Sequence, residues 1–350
     1  MSYAVNSEQA KALFSALAEK YTLYAPKRFP KQGRYSDTDV IRYAPVARLE
    51  EIVFDEKSDY PAKEVLSPIH QALFYFTEDE FRASKAPKKP ILLFARPCDI
   101  NAQRIQARIY AGNGGFTDAY YERMHQLVKF VLMECPGGDD TCFCVSMGTN
   151  QTDDWSLAVR RTETGCLFSV VDGELAPYFS GLPEAGFAPA FVQENQLKVT
   201  IPDIPDKETL NALKKHPFWK EFNSRCISCG SCTVACSTCT CYTTRDIIYG
   251  DNPEVGERRR VTASCQVEGF DQMAGQREFR STAGERMRYK VLHKFHDYNA
   301  RFGEGHMCVG CGRCTHRCPE LISISATVNK MSAALAEIRA EQAKEGGSML

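Results

Sequence analysis

The chain has 350 residues, with 43 Lys and Arg against 44 Asp and Glu, for a net charge of −1. That balance gives no electrostatic footing for nucleic acid or an anionic membrane surface, and no apolar stretch reaches the roughly 18 residues of a membrane span. The 16 cysteines, behind a start (MSYAVNSEQAKALFSALAEKY) that reads as an amphipathic helix rather than a signal peptide, argue for metal ligation in a reducing compartment. The expectation is a soluble, cytoplasmic, oxygen-sensitive protein.

After the opening helix, residues up to about 210 alternate strand and helix signals. Residues 90–96 and 129–133 are short apolar runs of the kind that form fully buried strands. Between them, 102–111 and 118–126 read as helices, and 155–159, 166–171 and 197–201 read as further strands. The region 1–210 is therefore expected to be an α/β domain. Cys98 follows the first buried strand, in Arg96-Pro97-Cys98-Asp99. Cys135 follows the second, with Cys142 and Cys144 shortly after, in Thr141-Cys142-Phe143-Cys144. If the two strands are parallel neighbours, their carboxyl ends bring the four thiols to one edge, where α/β folds place their sites. Two readings stand open there: a third [4Fe–4S] cluster, or a set of small buried and loop cysteines. Cys166, inside a strand pattern, reads as a core residue.

Pro202 and Pro205 mark a boundary. A helix over 207–222 is expected to lead into the run Cys226-Ile-Ser-Cys229-Gly-Ser-Cys232-Thr-Val-Ala-Cys236. A second helix over 286–301 is expected to lead into Cys308-Val-Gly-Cys311-Gly-Arg-Cys314-Thr-His-Arg-Cys318-Pro319. Both runs are C-x2-C-x2-C-x3-C. That spacing wraps three thiolates around one cubane [4Fe–4S] cluster and sends the fourth to the neighbouring cluster. Cys226, Cys229 and Cys232 are expected to share a cluster with Cys318, and Cys308, Cys311 and Cys314 to share one with Cys236. Structural zinc prefers two cysteine pairs set a dozen or more residues apart, which this spacing does not provide. The first run lacks the proline that follows the second, since Ser237 stands there.

The long separation of the runs suggests a mostly α-helical dicluster ferredoxin domain over 211–330, and an α+β chain as a whole. Residues 331–350 form a C-terminal helix or tail: a charged helix is read over 326–344, ending in Gly346-Gly347, as a solvated tail or a docking element. Cys239, Cys241 and Cys265 are open between spare thiols near the cluster, structural residues, and a zinc or redox site. His293, His306 and His316 are scattered, and Arg313, His316 and Arg317 would raise a cluster potential by favouring the more negative reduced state. No G-x-G-x-x-G follows a strand, and there is no P-loop and no separate cysteine pair for a sirohaem. The chain therefore reads as a non-catalytic electron carrier.

Taken together, these residues resemble the A subunit of anaerobic sulfite reductases, which is related to the β subunit of soluble sulfhydrogenases. The resemblance runs over essentially the whole length. It rests on Arg96-Pro97-Cys98-Asp99, Thr141-Cys142-Phe143-Cys144, the two cysteine runs and Cys239-Thr-Cys241. It implies an iron–sulfur electron-transfer subunit placed between a flavin-containing, NADH-oxidising partner and a sirohaem partner that reduces sulfite to sulfide. The same eight cysteines carry over as cluster ligands. The alternative is an equivalent relay serving a soluble hydrogenase or another dehydrogenase complex.

Overall fold

The computed structural model describes residues 1–347. The opening segment is a strand and a helix rather than one helix: β1 (Ser2–Asn6) and α1 (Ser7–Lys20). Asn6 divides them. Its side chain accepts from the Gln9 amide while Gln9 accepts from the Asn6 amide, a reciprocal cap that satisfies two otherwise orphaned donors. Next come β2 (Thr22–Phe29), β3 (Val40–Pro45), the single turn α2 (Lys63–Leu66), β4 (His70–Phe76) and β5 (Phe81–Ala83). The chain continues through β6 (Ile91–Ala95), α3 (Pro97–Tyr110), α4 (Ala119–His125), β7 (Val128–Met133), β8 (Leu157–Arg161) and β9 (Gly165–Val170).

Seven of these strands form one sheet in the order β1-β9-β8-β7-β6-β2-β3, with β2, β6, β7 and β8 mutually parallel and the outer pairs antiparallel. All five residues of β6 are buried. Leu92 and Phe94 enter a core with Phe14 and Leu17 of α1, while Ile91, Leu93 and Ala95 enter another with Ile100 and Tyr121. Two covered faces explain why this strand reads as an unbroken apolar run instead of an alternating one. Cys166 is buried in the first of these cores.

The second half contains α5 (Lys207–Lys215), α6 (Phe222–Arg225), α7 (Ser231–Val234), β10 (Tyr242–Ile248), β11 (Gly256–Thr262), α8 (Ala283–Leu292), α9 (Tyr298–Phe302), α10 (Arg313–His316) and α11 (Ile324–Gly347). The helix expected over 207–222 breaks at His216, whose backbone is extended ahead of Pro217. A π-helical turn, His293–Asp297, joins α8 to α9. This half is less helical than expected, because β10 and β11 form a hairpin between the cysteine runs. β11 also pairs with β4, so a four-stranded sheet, β10-β11-β4-β5, is built from both halves of the chain.

Two further expectations are corrected. Residues 197–201 form no strand. Their backbone is held by side chains: Ser146 accepts from the Val199 amide, Asn329 accepts from Thr200 and donates to the Lys198 carbonyl, and Ser332 donates to the Thr200 carbonyl. The C-terminal helix is not a solvated tail over its whole length. Val328, Met331, Ala334 and Ile338 of α11 are buried in a core with Leu213, Trp219, Phe222 and Phe295. No helix among the described residues is long and apolar enough to cross a membrane.

Candidate metal centres

The two cysteine runs are built alike. Gly230 and Gly312 each follow the second cysteine of a run, and each adopts left-handed backbone (φ 80° and 70°) to start the one-turn helix, α7 or α10, that holds the third cysteine. Glycine adopts that conformation without the penalty a Cβ would bring. α7 and α10 pack against each other, so the two loops face one another.

Cys226, Cys229 and Cys232 of the first run line a single cavity together with Cys314 and Cys318 of the second. The remaining thiols also gather. Burial pushes the Cys308 thiol up, with Cys314 and Cys236 near enough to add to the effect. Burial likewise raises Cys314 to about 12 against the opposing charge of Lys290, with Cys236 and Cys311 contributing. Cys236 thus lies near Cys308 and Cys314 of the second run, and Cys318 near the first run.

Two pairs of neighbouring thiols involve cysteines outside the runs: Cys236 of the first run with Cys239, and Cys241 with Cys265. A hydrogen bond with the Cys239 thiol holds Cys236 well below the ordinary thiol range despite burial, and Lys294, Lys63 and Lys290 act in the same direction. Cys265 falls to about 5 through its hydrogen bond with Cys241, which is itself raised. Among the described residues, no three His, Cys, Asp or Glu side chains converge tightly enough to hold a single metal ion.

Three buried lysines surround these sulfurs, and the sequence reading missed them. Lys63, Lys290 and Lys294 are 6, 2 and 2% exposed. Lys63 donates to the carbonyls of Thr233 and Cys239, and Lys294 donates to Thr238 Oγ1. Lys290 Nζ has no hydrogen-bond partner in the protein. Burial alone would discharge Lys290, but Cys232, Cys239, Cys314 and Cys236 hold its pKa well above the ordinary value. A buried, unpaired ammonium costs several kcal/mol unless negative charge lies beside it. Thiolates bound to an iron–sulfur core provide such charge, so the residues present fit two clusters. The signal was legible in principle: Met287, Lys290, Val291, Lys294 and Phe295 follow helical spacing, which puts both lysines on the buried face.

Of the cations expected to tune potential, Arg313 is buried but already neutralised. Its Nη1 and Nη2 donate to Asp99 Oδ1 and Oδ2 at 2.7 and 2.8 Å, and its remaining donors reach Ser58 and Ser237. Arg317 meets Asp59 at 3.3 Å and Tyr60 Oη at 3.0 Å, and His316 is exposed. Cys98 lies in the first turn of α3, Cys135 just beyond β7, and Cys142 and Cys144 in the loop that follows.

Comparison with known proteins gives a consistent picture. Residues 225–322 match the 4Fe–4S dicluster domain family, a match that implies two [4Fe–4S] clusters. The chain is 27% identical over 332 residues to the sulfhydrogenase 2 subunit beta of Pyrococcus furiosus, covering 91% of this chain and 94% of that protein. No solved structure matches the chain. The chain is thus an iron–sulfur electron-transfer protein with a 4Fe–4S dicluster domain, and a distant homologue of a sulfhydrogenase β subunit.

Proposed function

We propose that the chain is the middle link of a cytoplasmic sulfite-reducing complex, taking electrons from a flavin-containing, NADH-oxidising subunit and passing them to a sirohaem subunit that reduces sulfite to sulfide. Cys226, Cys229, Cys232 and Cys318 ligate one [4Fe–4S] cluster, and Cys308, Cys311, Cys314 and Cys236 ligate the other. The observation that carries the relay is the cavity in which thiols of both runs meet beside Lys290. When bound, the clusters supply one-electron storage at potentials set by net charge, hydrogen bonds to sulfur and exposure. The protein's part is to hold eight thiolates, to keep both loops at close quarters, and to set buried lysine charge against the sulfurs. The chain itself carries no substrate site in this reading. The division into an α/β part over 1–210, a dicluster part over 211–330 and a C-terminal helix or tail over 331–350, whose last three residues lie outside the described ones, belongs to the same proposal.

The resemblance carried by the cysteine runs, Arg96-Pro97-Cys98-Asp99 and Cys239-Thr-Cys241 supports sulfite as the terminal acceptor. A second reading has its own support: the P. furiosus relative is a sulfhydrogenase subunit, which suits a relay serving a hydrogenase equally well. Anaerobic affinity purification of the tagged chain from its native cells separates the two. A co-purifying sirohaem chromophore with NADH-dependent sulfite consumption is the expected result, abolished by Cys311→Ser. A nickel-containing partner with hydrogen-dependent reduction would replace the first reading with the second.

A further inference from the structure

The strand ends of the large sheet carry a further set of thiols. β6 and β7 are parallel neighbours with Ala95 paired to Leu132. Cys98 and Cys135 each lie three residues past that pair, so both emerge at the same edge, where parallel sheets gather their ligand-binding groups. Cys142 and Cys144 join them from the loop after β7, both buried. Cys144 lies within electrostatic reach of Cys142 and Cys135, and Cys98 within reach of Cys311 of the second run and of Cys144.

Two cations are aimed at this group. Lys57, whose side chain is 5% exposed, places Nζ 3.6 Å from Cys142 Sγ. Arg96, also 5% exposed, places Nη1 3.7 Å from Cys135 Sγ. Buried positive charge at these distances would offset the negative charge of a thiolate-ligated cluster. An unused donor lies beside Cys144 as well. Asn195 sits with Oδ1 3.5 Å from Cys144 Sγ, and its buried Nδ2 has no partner in the protein. Hydrogen bonds from outer residues to ligand and inorganic sulfur are a regular part of such centres.

The same edge touches the second cysteine run directly. The Phe143 amide donates to the Gly310 carbonyl at 2.8 Å, and Lys57 Nζ donates to the Cys311 carbonyl at 3.0 Å. A Cβ at Gly310 or Gly312 would lie 2.6 Å from Phe143 or 2.3 Å from Thr141 backbone atoms, so only glycine allows this approach.

We propose that Cys98, Cys135, Cys142 and Cys144 hold a third [4Fe–4S] cluster, seated at the carboxyl edge of β6 and β7 against the loop of the second dicluster run. The proposal goes beyond the two-cluster relay and rests on the same iron–sulfur reading of the chain. It makes the α/β half a third station of the relay, with Lys57 touching both the new site and the second loop.

Iron and acid-labile sulfide are counted in the full-length chain, purified and reconstituted anaerobically, alongside Mössbauer spectra and electron paramagnetic resonance of the dithionite-reduced protein. The expected content is about twelve irons and twelve sulfides, four of each per cluster. The double variant Cys135→Ser/Cys144→Ser is expected to lose a third of both while keeping the two interacting dicluster signals. Saturation of the wild-type chain at about eight irons overturns the third site and leaves the two-cluster reading intact. An unchanged iron content in the double variant, or one zinc per chain released only from the wild type, overturns it too. A chain that binds no iron overturns both readings. The wild-type count decides the matter even if the double variant fails to fold.

Discussion

Arg313 is the residue on which the two halves of the chain depend most directly. It rises from the loop of the second cysteine run, and its five N–H donors are all used, two of them on Asp99 in the first turn of α3. Tyr43 Oη donates to the same carboxylate at 3.2 Å. Removing one partner of a buried pair strands the other charge, a loss of about 3–5 kcal/mol. Arg313→Met should therefore destabilise the anaerobic holoprotein by that amount in denaturant titration. Asp99→Leu/Arg313→Met should recover most of it, because neither charge then remains. Lys290 acts by charge rather than by contact. Removing its ammonium disfavours the more negative reduced state, so Lys290→Met should lower a dicluster midpoint potential by tens of millivolts, about 59 mV for each 1.4 kcal/mol of lost interaction in a one-electron couple. A redox titration followed by electron paramagnetic resonance reads that shift, and an upward shift would contradict the assignment.

At the scale of elements, what the sequence showed depended on whether the signal was local. The apolar runs of β6 and β7 are local signals, and both segments are neighbouring strands of the large sheet. The cysteine spacings are local as well, and the two runs form loops of the same build that face one another. The strand expected over 197–201 had a plausible pattern, but pairing needs a neighbour. The backbone there bonds instead to Ser146, Asn329 and Ser332, which lie far away in sequence. β4 and β11 went unread for the converse reason, since they pair with each other across about 180 residues of sequence and no local pattern announces that pairing. Lys290 and Lys294 fell on the buried face by helical spacing, yet charged residues are ordinarily assigned to the solvent side. The C-terminal helix likewise read as charged, a solvated tail or a docking element. Met331 is fully buried among Val328, Leu213 and Phe222. Met331→Ala should destabilise the protein by about 2–5 kcal/mol, the range for truncating a buried side chain. A thermal melt with unchanged iron content would separate this packing loss from damage to a cluster site.

For the whole molecule, the four-stranded sheet β10-β11-β4-β5 carries a consequence for biosynthesis. The hairpin of β4 and β5 is made early, but the strand beside β4 ends at Thr262. A nascent chain emerging from the ribosome therefore holds an unpaired strand edge while nearly two hundred further residues are added, the first cysteine run among them. Long-range pairing of this kind is slow and leaves aggregation-prone edges in waiting. The small sheet therefore closes only once the chain has been made past the first cysteine run, to Thr262.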